Sequence, residues 1–248
     1  KNMPLKLPSE AHLAPSLEAG MKAMAIDYSP EQRDQLLAYL QLLITWNRAY
    51  NLTAIRDPGE MVKLHLLDSL AVLPHLTGKK IIDVGTGAGL PGIPLAIMCP
   101  DRHFTLLDSN GKKTRFLFQA RCDLGLTNLI EIQSRVELHR PTAPYDAVLS
   151  RAFTSVADMV DKCSHLLSAD GLFLAMKGKF PQSELSEVEK GYKVDASHTL
   201  QVPGVDGERH LIVISRDPQL NVAFDIKIGI KIGIKSAAPQ QPKGQTSD

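Results

Sequence analysis

The sequence has almost no excess charge. Lys and Arg number 28 against 27 Asp and Glu, leaving a net charge of +1. No global attraction to a polyanion operates, so any contact with nucleic acid has to come from a local patch. No apolar run approaches the roughly 18 residues that span a bilayer, and the start carries no signal-peptide pattern. A soluble, cytoplasmic protein with no membrane partner is expected. Cysteine is scarce: Cys99, Cys122 and Cys163 are odd in number and fit neither a metal-ligand nor a C-x-x-C spacing. They read as buried free thiols in a reducing compartment, and no metal site is expected. What is present is apolar content, 44% of 248 residues, enough for one domain with a sizeable core and at most an appendage.

One stretch organises the rest: Ile81-Ile82-Asp83-Val84-Gly85-Thr86-Gly87-Ala88-Gly89-Leu90-Pro91-Gly92-Ile93-Pro94. Its first four residues have the length and β-branched content of a buried parallel strand. Three glycines at alternate positions follow, then a helix-compatible segment over 93–98. Glycine lets a chain turn tightly and lets a ligand touch bare backbone. Strand, glycine turn and helix start together make a nucleotide-binding corner. A dinucleotide fingerprint, G-x-G-x-x-G, would put its third glycine on Leu90, which disfavours a nicotinamide-dependent oxidoreductase. The G-x-G-x-G pattern, with Asp83 two residues ahead of it, resembles the S-adenosylmethionine loop of Rossmann-like methyltransferases. A plain tight turn between strand and helix is the alternative.

Taken in order, residues 1–28 carry Pro4, Pro8, Pro15 and Gly20 and read as a loose arm with a short helix near 16–24. Ser29-Pro30-Glu31-Gln32 is a helix start with a capping box. Leu36, Leu37, Leu40, Leu43, Ile44 and Trp46 form its apolar stripe, and Asn47 to Thr53 breaks the pattern. Asp57-Pro58-Gly59-Glu60 opens a second helix over 60–73. Met61, Leu64, Leu67 and Leu70 lie on one side of it, with His65, Asp68 and Ser69 on or near the other. Residues 29–76 are thus expected to be an α-helical subdomain.

From Ile81 strands and helices alternate, which predicts a parallel sheet with helices on both faces. Strands are expected over 81–84, 103–107, 129–133, 145–150 and 171–176. Helices are expected over 111–125 and 156–167. Runs 192–202 and 210–215 read as a terminal antiparallel pair. The fold class is α/β, a Rossmann-like class I methyltransferase sheet of five parallel strands plus that hairpin, over 77–217. Residues 218–248 hold a two-fold Lys-Ile-Gly-Ile repeat and a Pro/Gln/Ser tail. They read as disordered, as a basic accessory strand, or as an extension added to the natural chain.

In this architecture ligands sit at the carboxyl ends of the strands. Asp108, at the end of the second strand, can accept hydrogen bonds from both hydroxyls of a ribose; a solvated aspartate at a helix start is the alternative. Val136 and Glu137, past the third strand, are placed to line an adenine. Arg151, directly after the fourth, can hold a carboxylate or phosphate in a bidentate fork, or form a surface salt bridge. His65 and Asp68, three apart on one helix, could be an acid/base or metal pair, or a structural hydrogen-bond network. Lys177 closes the fifth strand.

Tyr50-Asn51-Leu52-Thr53, His65-Leu66-Leu67-Asp68-Ser69, 83–94, Leu106-Leu107-Asp108-Ser109, Ser150-Arg151-Ala152-Phe153 and Asp206-Gly207-Glu208-Arg209-His210 occur together and in order. With these motifs the chain resembles the bacterial small-subunit rRNA (guanine-N7)-methyltransferases, the glucose-inhibited-division B family. The resemblance runs over about 29–215 and departs after about Arg216. It implies S-adenosylmethionine as cofactor and methylation of a guanine N7 in the 530-loop of 16S rRNA, free or in the 30S subunit. It implies no DNA partner, and nothing demands more than a monomer. Gly85, Leu90, Val136, Glu137 and Arg151 would contact the cofactor, with Asp108, Asp83, Gly87 and Gly89 completing the corner. No dedicated nucleophile is expected; Arg151, His65, Asp68 and Lys177 would position the substrate. Arg48, Arg56, Lys63, His65, Lys112, Lys113, Arg115, Arg135, Lys177 and Arg209 could ring the mouth, with Phe153 stacking an extruded base. The sequence has neither the Pro-Cys pair of cytosine-C5 enzymes nor the Asn/Asp-Pro-Pro-Tyr/Phe motif of amine methylators. The rival readings are a methyltransferase on a small molecule or protein, and a non-catalytic ribosome-assembly factor that still binds the cofactor.

Overall fold

The computed structural model describes residues 12–153, 155–185, 188 and 191–217. The Lys-Ile-Gly-Ile repeat and the tail behind it lie outside the described residues, as do residues 1–11. Five runs rich in Ile, Leu and Val form the parallel part of one sheet: β1 (Lys80–Val84), β2 (His103–Asp108), β3 (Leu129–Gln133), β4 (Tyr145–Ser150) and β5 (Leu167–Lys177). Strands β6 (Tyr192–Thr199) and β7 (His210–Arg216) complete it in the order β3-β2-β1-β4-β5-β7-β6. β7 runs antiparallel to both of its neighbours. This is the α/β sheet of a Rossmann-like methyltransferase, five parallel strands plus a terminal antiparallel hairpin. Strand order reverses between β1 and β4, which opens a crevice at their carboxyl ends.

Because both faces are covered, neighbouring residues of a strand enter opposite cores. Ile81, Leu106, Leu149 and Leu174 belong to one cluster, while Ile82, Leu107, Val148 and Phe173 belong to the other. The first cluster lies under α1 (Ala14–Ala23), α2 (Pro30–Tyr50), α3 (Pro58–Met61), the π-helical turn Val62–Leu67, α4 (Asp68–Leu70), α5 (Gly92–Met98) and α6 (Gly111–Asp123). The helices before residue 76 therefore share one core with the sheet and form its covering layer. Residues 12–28 are packed as well, not loose: Leu17 and Met21 on α1 are fully buried. The second cluster lies under α7 (Val156–Cys163). A short α8 (Gln182–Leu185), unmarked by any sequence pattern, follows β5.

Local signals explain most helix boundaries. The Ser29 hydroxyl accepts from the Gln32 N–H while the Gln32 side chain accepts from the Ser29 N–H, a complete capping box. Asp57 caps α3 through the Glu60 N–H at 2.8 Å. Helix α2, however, does not break at Asn47. That residue is buried, its Oδ1 accepts from the Thr53 N–H at 2.9 Å and its amide donates to the Ile55 carbonyl. With its polar group satisfied by the following loop, the helix runs on to Tyr50 and closes at Asn51, which sits at φ +51°. The polar side of the 58–70 helix is not solvated either. His65, Asp68 and Ser69 are buried in the face turned toward the end of the sheet. No helix among the described residues is long and apolar enough to cross a membrane.

Candidate active site

The glycine corner is held from three sides. Gly85, Gly87 and Gly89 have φ of +68°, +63° and +87°, a region that side chains other than glycine's enter at a cost of roughly 1 kcal/mol. From the sheet, the N–H groups of Gly85 and Thr86 both donate to the Leu107 carbonyl, at 2.8 and 3.2 Å. From below, Asp83 Oδ2 accepts from the Thr86 hydroxyl at 2.7 Å and from the Gly92 N–H at 2.9 Å. From the helical layer, the buried Tyr39 hydroxyl donates to the Ala88 carbonyl at 2.7 Å. Gly92 is required here because a Cβ on it would run into Leu106 and into Asp83 Oδ2.

Asp83 lies beneath the loop, 1% exposed, and Oδ1 is buried with no hydrogen-bond partner among the described residues. Its carboxyl supports the loop from the inside. Burial pushes its carboxyl up to about 7, against the hydrogen bonds from Thr86 and Gly92 and the Arg151 charge. Gly89 and Leu90 also face inward. A Cβ on Gly89 would meet Ile93 and Leu117, and Leu90 is buried.

A cleft of about 480 Å³ opens over the ends of β1, β2 and β4 and is lined by Gly85, Asp108, Ser109, Lys113, Arg135, Val136, Glu137, Ala152 and Phe153. Gly85, Asp108, Val136 and Glu137 thus share one wall system, as the sequence places them. Asp108 is nearly buried: Oδ2 accepts from the Gly87 N–H and Oδ1 from the Asn110 N–H, both at 2.9 Å, with Lys113 Nζ at 3.8 Å. Each oxygen keeps a second lone pair for a ligand hydroxyl. Ser150 joins the strands there. Its hydroxyl donates to the Val84 carbonyl at 2.7 Å and accepts from the Ala152 N–H at 3.0 Å.

Arg151 belongs to a second, adjoining cleft of about 280 Å³ lined by Asp68, Arg151, Met176, Lys177, Gly178, Leu200, Arg209 and His210. Asp68 is its hub. Arg209 Nε donates to Asp68 Oδ1 at 2.9 Å, and Arg151 approaches Oδ2 at 3.6 Å. Burial raises the Asp68 carboxyl while the two guanidiniums oppose the rise. Lys177 pairs with Glu184 of α8 at 2.9 Å and donates to the Phe153 carbonyl. His65 does not face Asp68 as an acid/base partner. Its Nε2 meets the Thr53 hydroxyl at 2.9 Å, and burial with the Arg151 charge pushes its pKa down to about 4. Among the described residues no three His, Cys, Asp or Glu side chains are grouped to hold a metal ion.

Residues 32–212 match the family described as rRNA small subunit methyltransferase G. The chain belongs to that family. It is 55% identical over 205 residues to the ribosomal RNA small subunit methyltransferase G of Ectopseudomonas mendocina, covering 82% of this chain and 96% of the relative. The protein of that name from Alteromonas mediterranea is 52% identical over 200 residues, covering 81% and 95%. That from Saccharophagus degradans is 54% identical over 199 residues, covering 80% and 89%. In this member of the methyltransferase G family both clefts fall inside the matched span. Two supporting residues carry no signal in the sequence, Tyr39, hidden in an apolar stretch, and Glu184, in an unforeseen helix; Ser150 stands in a family motif, but its bridging role does not show there. Arg209 reads from the sequence only as part of a basic rim, because its pairing with Asp68 spans 141 positions.

Proposed function

We propose that the protein transfers a methyl group from S-adenosylmethionine to N7 of a guanine in the 530-loop of 16S rRNA. The observation that carries this is two adjoining clefts at the switch point of the sheet. One has a bare glycine backbone and a carboxylate at its wall; the other is ringed by Arg151, Arg209 and Lys177. The first suits S-adenosylmethionine: about 480 Å³ is within the usual range for a small-molecule site, and a side chain at Gly85 would press on Ala152 Cβ at 2.7 Å. Gly85 and Gly87 would hold the amino-acid end along the loop, Asp108 the ribose hydroxyls, and Val136 with Glu137 the adenine edge. The bound cofactor supplies an electrophilic sulfonium methyl.

The protein's own task is alignment. Guanine N7 carries a lone pair and no proton, so no general base is needed, and orientation alone can supply several kcal/mol. His65, neutral and tied to Thr53, is in keeping with that. Arg151 and Arg209, fixed by Asp68, would offer guanidinium donors to phosphate or to guanine O6, leaving the N7 lone pair free to attack. Phe153 offers a half-buried ring beside the cofactor cleft.

The test is labelled methyl transfer to 30S subunits and to 16S rRNA lacking the modification, with borohydride and aniline cleavage to map 7-methylguanine. One cut in the 530-loop, lost in Gly85→Ala together with cofactor binding, is expected. Label in another base or another macromolecule refutes the target, and cofactor binding without any transfer refutes the reaction.

A further inference from the structure

Helices α2 and α6 pack antiparallel. Gln35 near the start of α2 donates to the Leu124 carbonyl behind α6, while Trp46 near the end of α2 meets Phe116 near the start of α6, edge-on with ring centroids 5.6 Å apart. The same register carries Tyr50, one turn beyond Trp46, toward Lys112, one turn before Phe116. Tyr50 leans over the Trp46 ring at 5.2 Å and a 32° tilt and keeps 40% of its surface exposed. Lys112 and Arg115 are exposed, and among the described residues no hydrogen bond or ion pair holds either side chain. Lys113 between them turns instead to Asp108 in the cofactor cleft. Residues 35–56 and 109–122 contain no Asp or Glu, so nothing nearby in either stretch neutralises the two cations.

We propose that Trp46, Tyr50, Lys112 and Arg115 form a docking ridge for single-stranded RNA beside the cofactor cleft. One unpaired base stacks on Tyr50, which Trp46 backs, and the flanking phosphates lie against Lys112 and Arg115. An exposed aromatic next to unpaired cations is how sequence-tolerant single-strand binders grip: the ring takes any base face and the charges track the backbone. The start of α6 adds a favourable field for phosphate. The ridge rests on reading the protein as an rRNA methyltransferase and assigns it a contact outside the reacting centre.

The experiment measures binding of in vitro transcribed 16S rRNA across a salt series, alongside methyl-transfer kinetics and calorimetric affinity for S-adenosylmethionine. Tyr50→Ser is expected to weaken RNA binding about tenfold, raising KM for RNA with kcat and cofactor affinity unchanged, and Tyr50→Phe to restore it. Lys112→Gln with Arg115→Gln is expected to flatten the slope of log affinity against log salt by about 1.4, two single-strand phosphate contacts. Lys79→Gln, before the amino end of β1 and away from the ridge, serves as the control with no expected change. RNA affinity and salt slope unchanged in both ridge variants overturn the ridge while wild-type methylation keeps the functional reading. Loss of RNA binding in the ridge variants, with a wild type that binds RNA but methylates none of it, upholds the ridge and overturns the reading. A wild type that does not bind RNA overturns both.

Discussion

Replacing Asp68 by Asn keeps the shape of the side chain and removes the one negative charge between Arg151 and Arg209. The new amide can accept from only one guanidinium, and its NH2 group then faces the other, donor against donor. Breaking a fully buried ion pair by removing one partner costs about 3–5 kcal/mol. Here Asp68 is 8% exposed at its side chain, but Arg151 and Arg209 keep 30% and 27%, so water can take over part of the lost interaction. A loss of about 1–3 kcal/mol is expected, closer to the cost of leaving a buried polar group unpaired. Urea unfolding reads this as a lower midpoint at unchanged slope. The same change frees both guanidiniums from their fixed orientation, so kcat/KM for RNA should fall about 10–100-fold, the scale of a small misplacement in an aligned site. Cofactor affinity should hold, because Asp68 lines the other cleft. Stability within about 0.5 kcal/mol of wild type together with unchanged kcat/KM would refute the idea that Asp68 organises this cleft.

Other perturbations probe the glycine corner and its surroundings. Tyr39→Phe leaves the Ala88 carbonyl without its buried donor; a loss of about 1 kcal/mol and severalfold weaker cofactor binding are expected, and calorimetry with equal affinities for both proteins would sink the assignment. Two buried groups give opposite pH dependences. Asp83, pushed up to about 7 by burial, keeps its proton in the folded state while the unfolded carboxylate loses its own near pH 4, so its contribution is present below that and is lost as pH rises toward 7. His65, pushed down to about 4 by burial, stays neutral in the fold while the unfolded imidazole gains a proton below about 6.5, so its contribution is lost as pH falls from 6.5 to 4. Asp83→Asn, which places an NH2 where the partnerless oxygen stands, should therefore flatten the decline toward neutral pH and leave the acid limb. An unchanged profile, or a His65 ring titrating near 6.5 by NMR, would contradict this.

Strands were the most legible part of the chain, and the reason is local. β4 is marked by its run Ala147-Val148-Leu149, since a strand buried on both faces needs a continuous apolar run and little else; β3, at the sheet edge and mostly unburied, is marked by Leu129, Ile130 and Ile132 between turn residues. The helix caps were equally plain, because Ser29 and Asp57 act on residues three positions away. What eluded sequence reasoning depends on partners far along the chain. Helix α2 passes through Asn47 because the Thr53 and Ile55 backbone satisfies that amide. Leu17 and Met21 are packed because the helical layer is there to receive them. In the site, Gly85 and Asp108 were visible as a spacing from a strand end. That Asp83, Gly89 and Leu90 turn inward follows from the path of the loop over Leu106, Ile93 and Leu117, which spacing does not encode. The tie between Asp68 and Arg209 needed the whole fold.

Helix α2 meets the glycine corner at Tyr39 and the outer surface at Trp46, two turns and about 10 Å further along its axis. Any shift of the loop that moves Tyr39 would be felt at Trp46, since both ride on the same helix. Such coupling is reciprocal: whatever affinity RNA gains at the far turn when the cofactor is bound, the cofactor gains when RNA is bound. The chain has a single tryptophan, and it is Trp46. Its emission, shaped by Tyr50 on one side and Phe116 on the other, makes the protein its own gauge of which partner arrives first.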